Sequence, residues 1–105
     1  MARVMGWHES LATKSYWVDD NENIQFSIAG KLKIGNIWMP EHRIDQAMMI
    51  IEKVLRDTPT LTMKMEIGVK KSWVQFIDCG FAIIVDKKVE AETPQMAICL
   101  AVANL

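Results

Sequence analysis

The last stretch of the chain, Glu90 to Leu105, constrains the fold more than any other part of the sequence. Thr93 and Pro94 predict a helix start, because threonine caps free backbone N–H groups and proline at the first helical position loses no hydrogen bond. From Met96 to Leu105 every residue except Asn104 is apolar. A helix that is apolar all round is normally buried. We therefore expect a sheet on one side of this helix and another helix or another subunit on the other.

Length and composition predict one globular domain: the chain has 105 residues, of which 50% are hydrophobic and 24% charged. A formal charge of −1 argues against a nucleic acid polymer as partner, because proteins that bind such polymers are usually basic. The longest apolar run is roughly half the length that crosses a bilayer, and the N-terminal residues do not form a secretory segment. We expect a cytoplasmic protein with no membrane partner.

Two strand-like runs in the first half, Ser15 to Val18 and Ile24 to Ile28, enclose a short acidic loop and predict a hairpin. The loop lacks the glycine and the distant glutamate of a calcium-binding loop, so a plain turn is the favoured interpretation. Lys31 to Ile34 alternates between lysine and apolar residues and is predicted to be an edge strand.

Residues Glu41 to Asp57 predict an amphipathic helix that Thr58 and Pro59 end. The predicted buried stripe consists of Ile44, Met48, Ile51 and Leu55, widened by Ala47 and Val54. The predicted exposed face carries Arg43, Asp45, Gln46, Glu52, Lys53 and Arg56.

Three further strands are predicted in the second half. Leu61 to Val69 alternates cleanly and predicts a strand with one buried side. Trp73 to Asp78 follows, and the apolar run Phe81 to Val85 is typical of a central strand covered on both faces. Short turns between these strands make them antiparallel. The predicted fold class is α+β, a mainly antiparallel sheet flanked by helices in a helix/sheet/helix sandwich, as a single domain.

Several segments recur in an order that resembles a known family. They are V-M-G-W at Val4–Trp7, W-x-D at Trp17–Asp19, the entry Trp38/Pro40 into a helix with A-x-x-x-I-E-K-V at Ala47–Val54, and A-E-T-P-x-x-A-I-C-x-A at Ala91–Ala101. Together they resemble the phage ABA sandwich domain family, small proteins of phages and prophages of Gram-positive bacteria. The chain departs from the family in its shorter start and in Leu100, where the family usually has a basic residue.

The resemblance implies a helix/sheet/helix sandwich, a viral origin and a location in the cytoplasm of the bacterial host. The family has no assigned reaction, so no catalytic residues carry over, and fold alone does not supply a function.

The residues themselves do not indicate catalysis. No nucleophile stands beside a recognisable base, and no glycine-rich loop is placed to hold a phosphate. His8 and His42 each adjoin a glutamate, a spacing at which side chains diverge, so exposed histidines are favoured over a metal site. Cys79 and Cys99 lie in apolar surroundings and are predicted to be buried reduced thiols. We expect a protein that is not an enzyme and has no metal and no cofactor.

The tryptophans are the most suggestive residues, because four occur in this short chain. Stacking on a nucleobase contributes ~1–3 kcal/mol per base, and free N–H groups at a helix start favour anions. The alternative is that the tryptophans are anchors of a core or a subunit interface. The candidate ligand-binding residues are Trp38, Arg43, Lys70, Lys71 and Trp73.

Three functional hypotheses follow from the resemblance and the aromatic content. The first is a non-enzymatic phage accessory protein that binds and sequesters a nucleotide second messenger of host antiviral defence, a cyclic nucleotide or a cyclic ADP-ribose-type ligand. The second is an interaction module that blocks a host protein or serves phage assembly through an apolar surface. The third is an enzyme that degrades the same messengers.

Met1 to Trp7 is predicted to be the end of a third helix that Gly6 closes. Self-association is also predicted, because one sheet with three short helices can hardly cover an apolar terminal helix within one subunit. The candidate interface of this homo-oligomer consists of Trp7, Met96, Leu100 and Leu105.

Overall fold

The computed structural model describes residues 1–11, 14–29, 37–78 and 88–105. Two compact units, Met1–Met39 and Pro40–Leu105, divide the chain and are described separately. The strands of the described residues are β1 (His8–Glu9), β2 (Tyr16–Val18), β3 (Ile24–Ser27), β4 (Leu61–Ile67), β5 (Ser72–Asp78) and β6 (Val89–Ala91), and the helices are α1 (Ile44–Asp57) and α2 (Pro94–Ala103). They form two three-stranded antiparallel sheets, which confirms the α+β class. The single domain stays a prediction. The strands predicted at 31–34 and 81–85, and Cys79, lie outside the described residues.

The sheet of the first unit has the order β1-β2-β3. Its β2–β3 hairpin confirms the prediction, and the acidic loop is a hydrogen-bonded turn. The carboxylate of Asp19 accepts the backbone N–H groups of Asn21 and Asn23 at 2.9 Å each, and the bond from Asn23 is the main cause that lowers the pKa of Asp19. Strand β1 was not predicted, because two residues are too short to establish a periodicity.

Three aromatic rings form a cluster in the first unit, which we call the aromatic core. Trp7 and Trp38 meet edge to face with centroids 4.8 Å apart, and Phe26 lies 5.5 Å from Trp7 and 5.0 Å from Trp38. Two backbone features bring the tryptophans together. Gly6, at φ +81°, closes the N-terminal turn just before Trp7. The backbone N–H of Trp38 donates to the carbonyl of Ser27 at 3.0 Å, which fixes the residue beside β3.

The sheet of the second unit has the order β4-β5-β6. Strands β4 and β5 pair along their whole length, from Leu61 opposite Asp78 to Ile67 opposite Ser72, which confirms the predicted hairpin. The third strand of this sheet is the short β6, which the sequence did not predict.

Helix α2 begins as predicted, with the Thr93 hydroxyl oxygen accepting the Met96 backbone N–H at 3.3 Å and Pro94 at the first helical position. It packs on β5 and β6 and contacts α1. Another helix of the same chain therefore supplies the second cover that its apolar sequence requires. Its buried residues are Ala97, Ile98, Cys99, Ala101 and Val102.

Helix α1 begins at Ile44 rather than Glu41, and its buried face is rotated relative to the predicted stripe. Ile44 is 41% exposed and Met48 39% exposed, so the predicted buried stripe is wrong at its first two members. Gln46, predicted on the polar face, is buried. Ala47, Ile51 and Val54 are buried as predicted, so packing shifts the buried face towards Ile50 and Gln46 without exchanging it for another face. Its buried residues are Gln46, Ala47, Ile50, Ile51 and Val54. Among the described residues no helix is long and apolar enough to cross a membrane.

Candidate functional site

A cleft of about 500 Å³ lies in the first unit next to the aromatic core. We call it the Arg3 cleft, and its lining residues are Arg3, Trp7, His8, Glu9 and Trp17. Its size falls within the range of ~300–1,000 Å³ that is usual for small-ligand pockets. Two indoles, a guanidinium, an imidazole and a carboxylate thus border a single space.

Local structure brings these side chains together. Arg3 lies in the N-terminal turn, where its carbonyl accepts the N–H of Gly6, and Trp7 leads directly into β1. Glu9 lies opposite Trp17 in the β1–β2 pairing, so both side chains stand on the same face of the sheet. The short strand β1 therefore places a carboxylate beside an indole that is distant from it in sequence.

The polar side chains of the Arg3 cleft differ in whether they already have a hydrogen-bond partner in the protein. The Nε2 of His8 lies 3.0 Å from Oε1 of Glu22, a residue with the left-handed φ of +62°, so the imidazole already has a partner. Arg3 and Glu9 are exposed. A guanidinium suits the paired oxygens of a phosphate, and a carboxylate accepts hydrogen bonds from hydroxyl or amino groups.

Trp38, a predicted ligand contact, is 6% exposed and lies in the aromatic core. Its ring contacts Trp7, which lines the Arg3 cleft. Its buried indole N–H has no hydrogen-bond partner within the described part of the chain, a situation that costs about 1–3 kcal/mol. Trp38 thus supports the cleft wall from behind and carries one unsatisfied donor.

Arg43, the second predicted contact, lies in the other unit, directly before α1. Its Nε and Nη2 donate to the two carboxylate oxygens of Asp45 at 3.1 and 3.0 Å. These hydrogen bonds from Arg43 are the main cause that lowers the pKa of Asp45. The guanidinium that was predicted to hold a ligand phosphate is therefore already paired with a carboxylate.

Lys70 and Lys71, the third and fourth predicted contacts, line a smaller cleft of about 370 Å³ with Glu90, Ala91 and Glu92. Nζ of Lys71 lies 3.9 Å from Oε2 of Glu90. Two lysines and two glutamates border this space, so the positive charge that would attract an anion is offset by the acids.

Trp73, the fifth predicted contact, is half-buried on the outer face of the β4-β5-β6 sheet. Its Nε1 donates to Oε2 of Glu66 at 3.2 Å, and Nζ of Lys88 lies 4.3 Å from its ring centroid, a cation–π contact. It stands opposite Glu90 in the β5–β6 pairing, which places it next to the lysine cleft. The structure thus brings Lys70, Lys71 and Trp73 near one another, whereas Trp38 belongs to the other unit.

The candidate interface residues fall into two groups. Trp7 packs against Phe26 and Trp38 and is buried, and Met96 is half-buried. Leu100 is 44% exposed and Leu105 is 51% exposed. Only the two leucines offer an open apolar surface, and an interface on this helix stays a prediction.

Cys99, predicted to be a buried thiol, is 8% exposed on α2. Burial, and next the nearby charge of Glu41, raise the pKa of this thiol from 9.0 to about 11. It is therefore protonated at neutral pH and is a poor nucleophile. Within residues 1–11, 14–29, 37–78 and 88–105, no group of three or more His, Cys, Asp or Glu side chains is placed to hold a metal ion.

All five residues that line the Arg3 cleft were missed as ligand contacts by sequence reasoning, and Trp7 was predicted at an oligomer interface instead. The signal that points to them is the density of aromatic and charged residues in the first part of the chain. That signal lacks a linear motif, because the pairing of β1 with β2 creates the site.

Comparisons of the chain with protein-family models, with curated proteins and with solved structures find no match. The resemblance to the phage ABA sandwich domain family stays a prediction.

Proposed function

We propose that this chain is a non-enzymatic binding protein that takes a small nucleotide into the Arg3 cleft and sequesters it. The observation that carries the proposal is the lining of this cleft, where Trp7, Trp17 and Arg3 border one space of about 500 Å³. The half-buried Trp17 is the indole that can stack on a base irrespective of the base's identity, whereas Trp7, at 8% exposure, forms the wall of the cleft. A guanidinium is the side chain best suited to a phosphate.

The Arg3 cleft suits a nucleotide better than the lysine cleft does. Glu9 lies opposite Trp17 across β1 and β2, where its carboxylate can accept a ribose hydroxyl or a base amino group while Trp17 stacks. In the lysine cleft, Lys71 is already within 3.9 Å of Glu90, and the neighbouring Trp73 carries Lys88 over its ring. A nucleotide would have to displace both contacts there.

The biological context of the proposal comes from the resemblance described above. A phage protein that sequesters a nucleotide would act as a sponge for a cyclic nucleotide or a cyclic ADP-ribose-type messenger of host antiviral defence. Binding without turnover is sufficient for this role, since the messenger only has to be withheld from its receptor.

Isothermal titration calorimetry against a panel of cyclic dinucleotides, cyclic trinucleotides and cyclic ADP-ribose isomers tests the proposal. We expect one class to bind, and chromatography to recover the ligand intact after incubation. Arg3→Gln removes a charge-assisted bond worth about 1.5–3 kcal/mol, so affinity should fall roughly 10- to 100-fold. Trp17→Ala should lower it by a similar factor through lost stacking.

Arg43→Gln and Lys71→Gln are the matched controls, since each removes one exposed cation outside the Arg3 cleft. They should leave the affinity unchanged. Absence of heat from every member of the panel, with circular dichroism showing folded protein, would overturn the proposal. So would a ligand whose binding depends on Lys71 and not on Arg3, or one that is recovered cleaved.

The exposed leucines of α2 favour the second candidate, an interaction module that blocks a host protein or serves phage assembly. Leu100 on α2 is 44% exposed, and Leu105, two residues beyond the helix, is 51% exposed. Pull-down from host lysate with the unaltered chain and with Leu100→Asp tests it, because a charge in an apolar contact is strongly unfavourable. A stoichiometric host protein that is lost with Leu100→Asp favours this function, and equal capture by both proteins contradicts it.

A further inference from the structure

Strand β4 forms one edge of its sheet. In the order β4-β5-β6 it pairs with β5 and with no other strand of the described residues. An edge strand presents N–H and C=O groups that a further strand can pair with. With seven residues from Leu61 to Ile67, β4 is long enough to serve as a template for a second strand.

The apolar side of β4 is incompletely covered. Leu61, Met63 and Met65 are half-buried, and Ile67 is 63% exposed. Just beyond the strand, Val69 is fully exposed. Proteins usually avoid apolar side chains along an unpaired edge strand, because such an edge promotes pairing with another chain. This row of side chains is therefore typical of a contact surface.

The charges on the other side of β4 select the partner. Lys64 and Glu66 stand two residues apart and therefore on the same face. A lysine on an edge strand normally opposes pairing. In an antiparallel pair of two β4 strands centred on Met65, however, Lys64 lies opposite Glu66 of the partner subunit, and by symmetry this ion pair forms twice.

The same register also pairs the apolar residues. Met65 lies opposite its own copy, Met63 lies opposite Ile67 of the partner subunit, and Leu61 comes into line with Val69 of the partner subunit. A register centred on Lys64 instead places the two lysines opposite each other, which is unfavourable. The pairing of opposite charges and the pairing of exposed apolar side chains thus both favour the register centred on Met65.

We infer that a second copy of this chain docks on β4, pairing antiparallel about Met65 to join the two β4-β5-β6 sheets into one continuous sheet. Such an interface is isologous, with the same surface on both copies. Glu66 is already oriented by the hydrogen bond from Trp73 at 3.2 Å, and its second oxygen is available for the partner's Lys64.

Charge reversal tests the surface and the register together in sedimentation equilibrium of the full chain. The unaltered 12.0 kDa protein should form a dimer. Lys64→Glu and Glu66→Lys should each weaken the dimer at least tenfold by placing like charges opposite each other. The double variant Lys64→Glu/Glu66→Lys should restore the dissociation constant to within about threefold, which a purely structural role of either residue does not explain.

Lys53→Glu on α1 is the control, because it makes the same change of charge outside β4, at a half-buried lysine whose ion-pair partner, Asp57, lies on the same helix. A chain that stays monomeric at all concentrations overturns the inference. A dimer that Lys64→Glu leaves intact, or that Lys53→Glu weakens equally, overturns it as well. A dimer broken by Leu100→Asp and not by Lys64→Glu assigns the contact to α2 instead.

Cysteine cross-linking determines the register directly. In a Cys79→Ser background, Met65→Cys should oxidise to a covalent dimer, because directly opposed residues of an antiparallel pair are close enough for a disulfide. Met63→Cys alone should not cross-link, whereas mixing it with Ile67→Cys should. Cross-linking of Met63→Cys by itself, or none from Met65→Cys, rules out the register.

Discussion

Strands β4 and β5 are neighbours of equal length and similar alternation, yet they are buried to different depths. On β5 the inward side chains Ser72, Val74 and Phe76 are 0–3% exposed. The residues of β4 that pair with them, Ile67, Met65 and Met63, lie on the same face of the sheet. Met63 and Met65 are half-buried, however, and Ile67 is exposed. The cause is the position of α2, which packs on β5 and β6.

This difference separates two kinds of information in a strand sequence. Alternation specifies which side chains share a face, since successive residues of a strand point to opposite sides. The depth of burial depends on the layer packed against that face, which is set elsewhere in the chain. In this unit the apolar helix α2 covers the central strand and leaves the edge strand open.

Removing one large side chain from each strand should give the largest effect and test the comparison directly. Phe76→Ala should lower the free energy of unfolding by about 3–5 kcal/mol, because it leaves a cavity under α2. Met63→Ala should cost only about 1 kcal/mol, because its side chain is half-buried. Urea denaturation in the Lys64→Glu background, where a partner copy does not cover β4, measures both. Equal losses would mean that the two strands are buried alike.

A smaller effect is expected at the turn that joins the two strands. A Cβ added at Gly68 would lie 2.5 Å from the backbone carbonyl oxygen of Lys71, so the turn has to shift. Gly68→Ala should therefore destabilise by about 1–3 kcal/mol. The neighbouring Val69→Ala, at a fully exposed position, should stay within about 0.5 kcal/mol. Thermal unfolding of the two variants in the Lys64→Glu background, where no partner copy covers Val69, compares them, and similar melting temperatures would contradict the close contact.

One polar atom breaks the apolar pattern of β5. The buried hydroxyl of Ser72 has no hydrogen-bond partner among the described residues, and burying such a group costs about 1–3 kcal/mol. Ser72→Ala should therefore stabilise the protein, by about 1 kcal/mol. Thr62→Val on the exposed side of β4 should have little effect. A loss of stability in Ser72→Ala would show that the hydroxyl has an acceptor in the folded protein.

The effect expected from Cys99 on α2 is absent at neutral pH and appears only in alkali. Folding raises the pKa of this thiol from 9.0 to about 11, so the folded state holds the proton more tightly. Its contribution to stability is complete below pH 9 and is lost as the pH rises towards 11. Unfolding measured across this range in a Cys79→Ser background should show a decline that is absent from Cys99→Ala. Identical profiles would mean that the thiol is accessible to water.

The elements with a local signal were predictable from the sequence. Thr93 and Pro94 start α2 because capping depends on residues adjacent in the chain. The exact limits of the buried face of α1 were not predictable, since apolar residues cover a wide sector of this helix, and contacts outside the helix decide that Ile50 is buried and Ile44 exposed. The strands β1 and β6 were missed because two or three residues do not define a period.

The candidate site depended on long-range pairing and was predicted only in part. The number of tryptophans indicated a binding site with stacking aromatic side chains. The sequence did not distinguish Trp38, which is in the core, from Trp17, which lines a cleft. Arg43 was predicted as a phosphate contact from its position before a helix, whereas Asp45 two residues later binds its guanidinium. Local charge pairing and sheet register thus decided which residues meet.

The edge-to-face contact of Trp7 and Trp38, with centroids 4.8 Å apart at 71°, has a practical consequence. Two indoles this close couple their electronic transitions, so the pair should give its own signal in near-ultraviolet circular dichroism. Because Trp7 also lines the Arg3 cleft, a molecule entering it would disturb that signal. The protein thereby carries an intrinsic optical reporter with which occupancy of the cleft can be followed without a label.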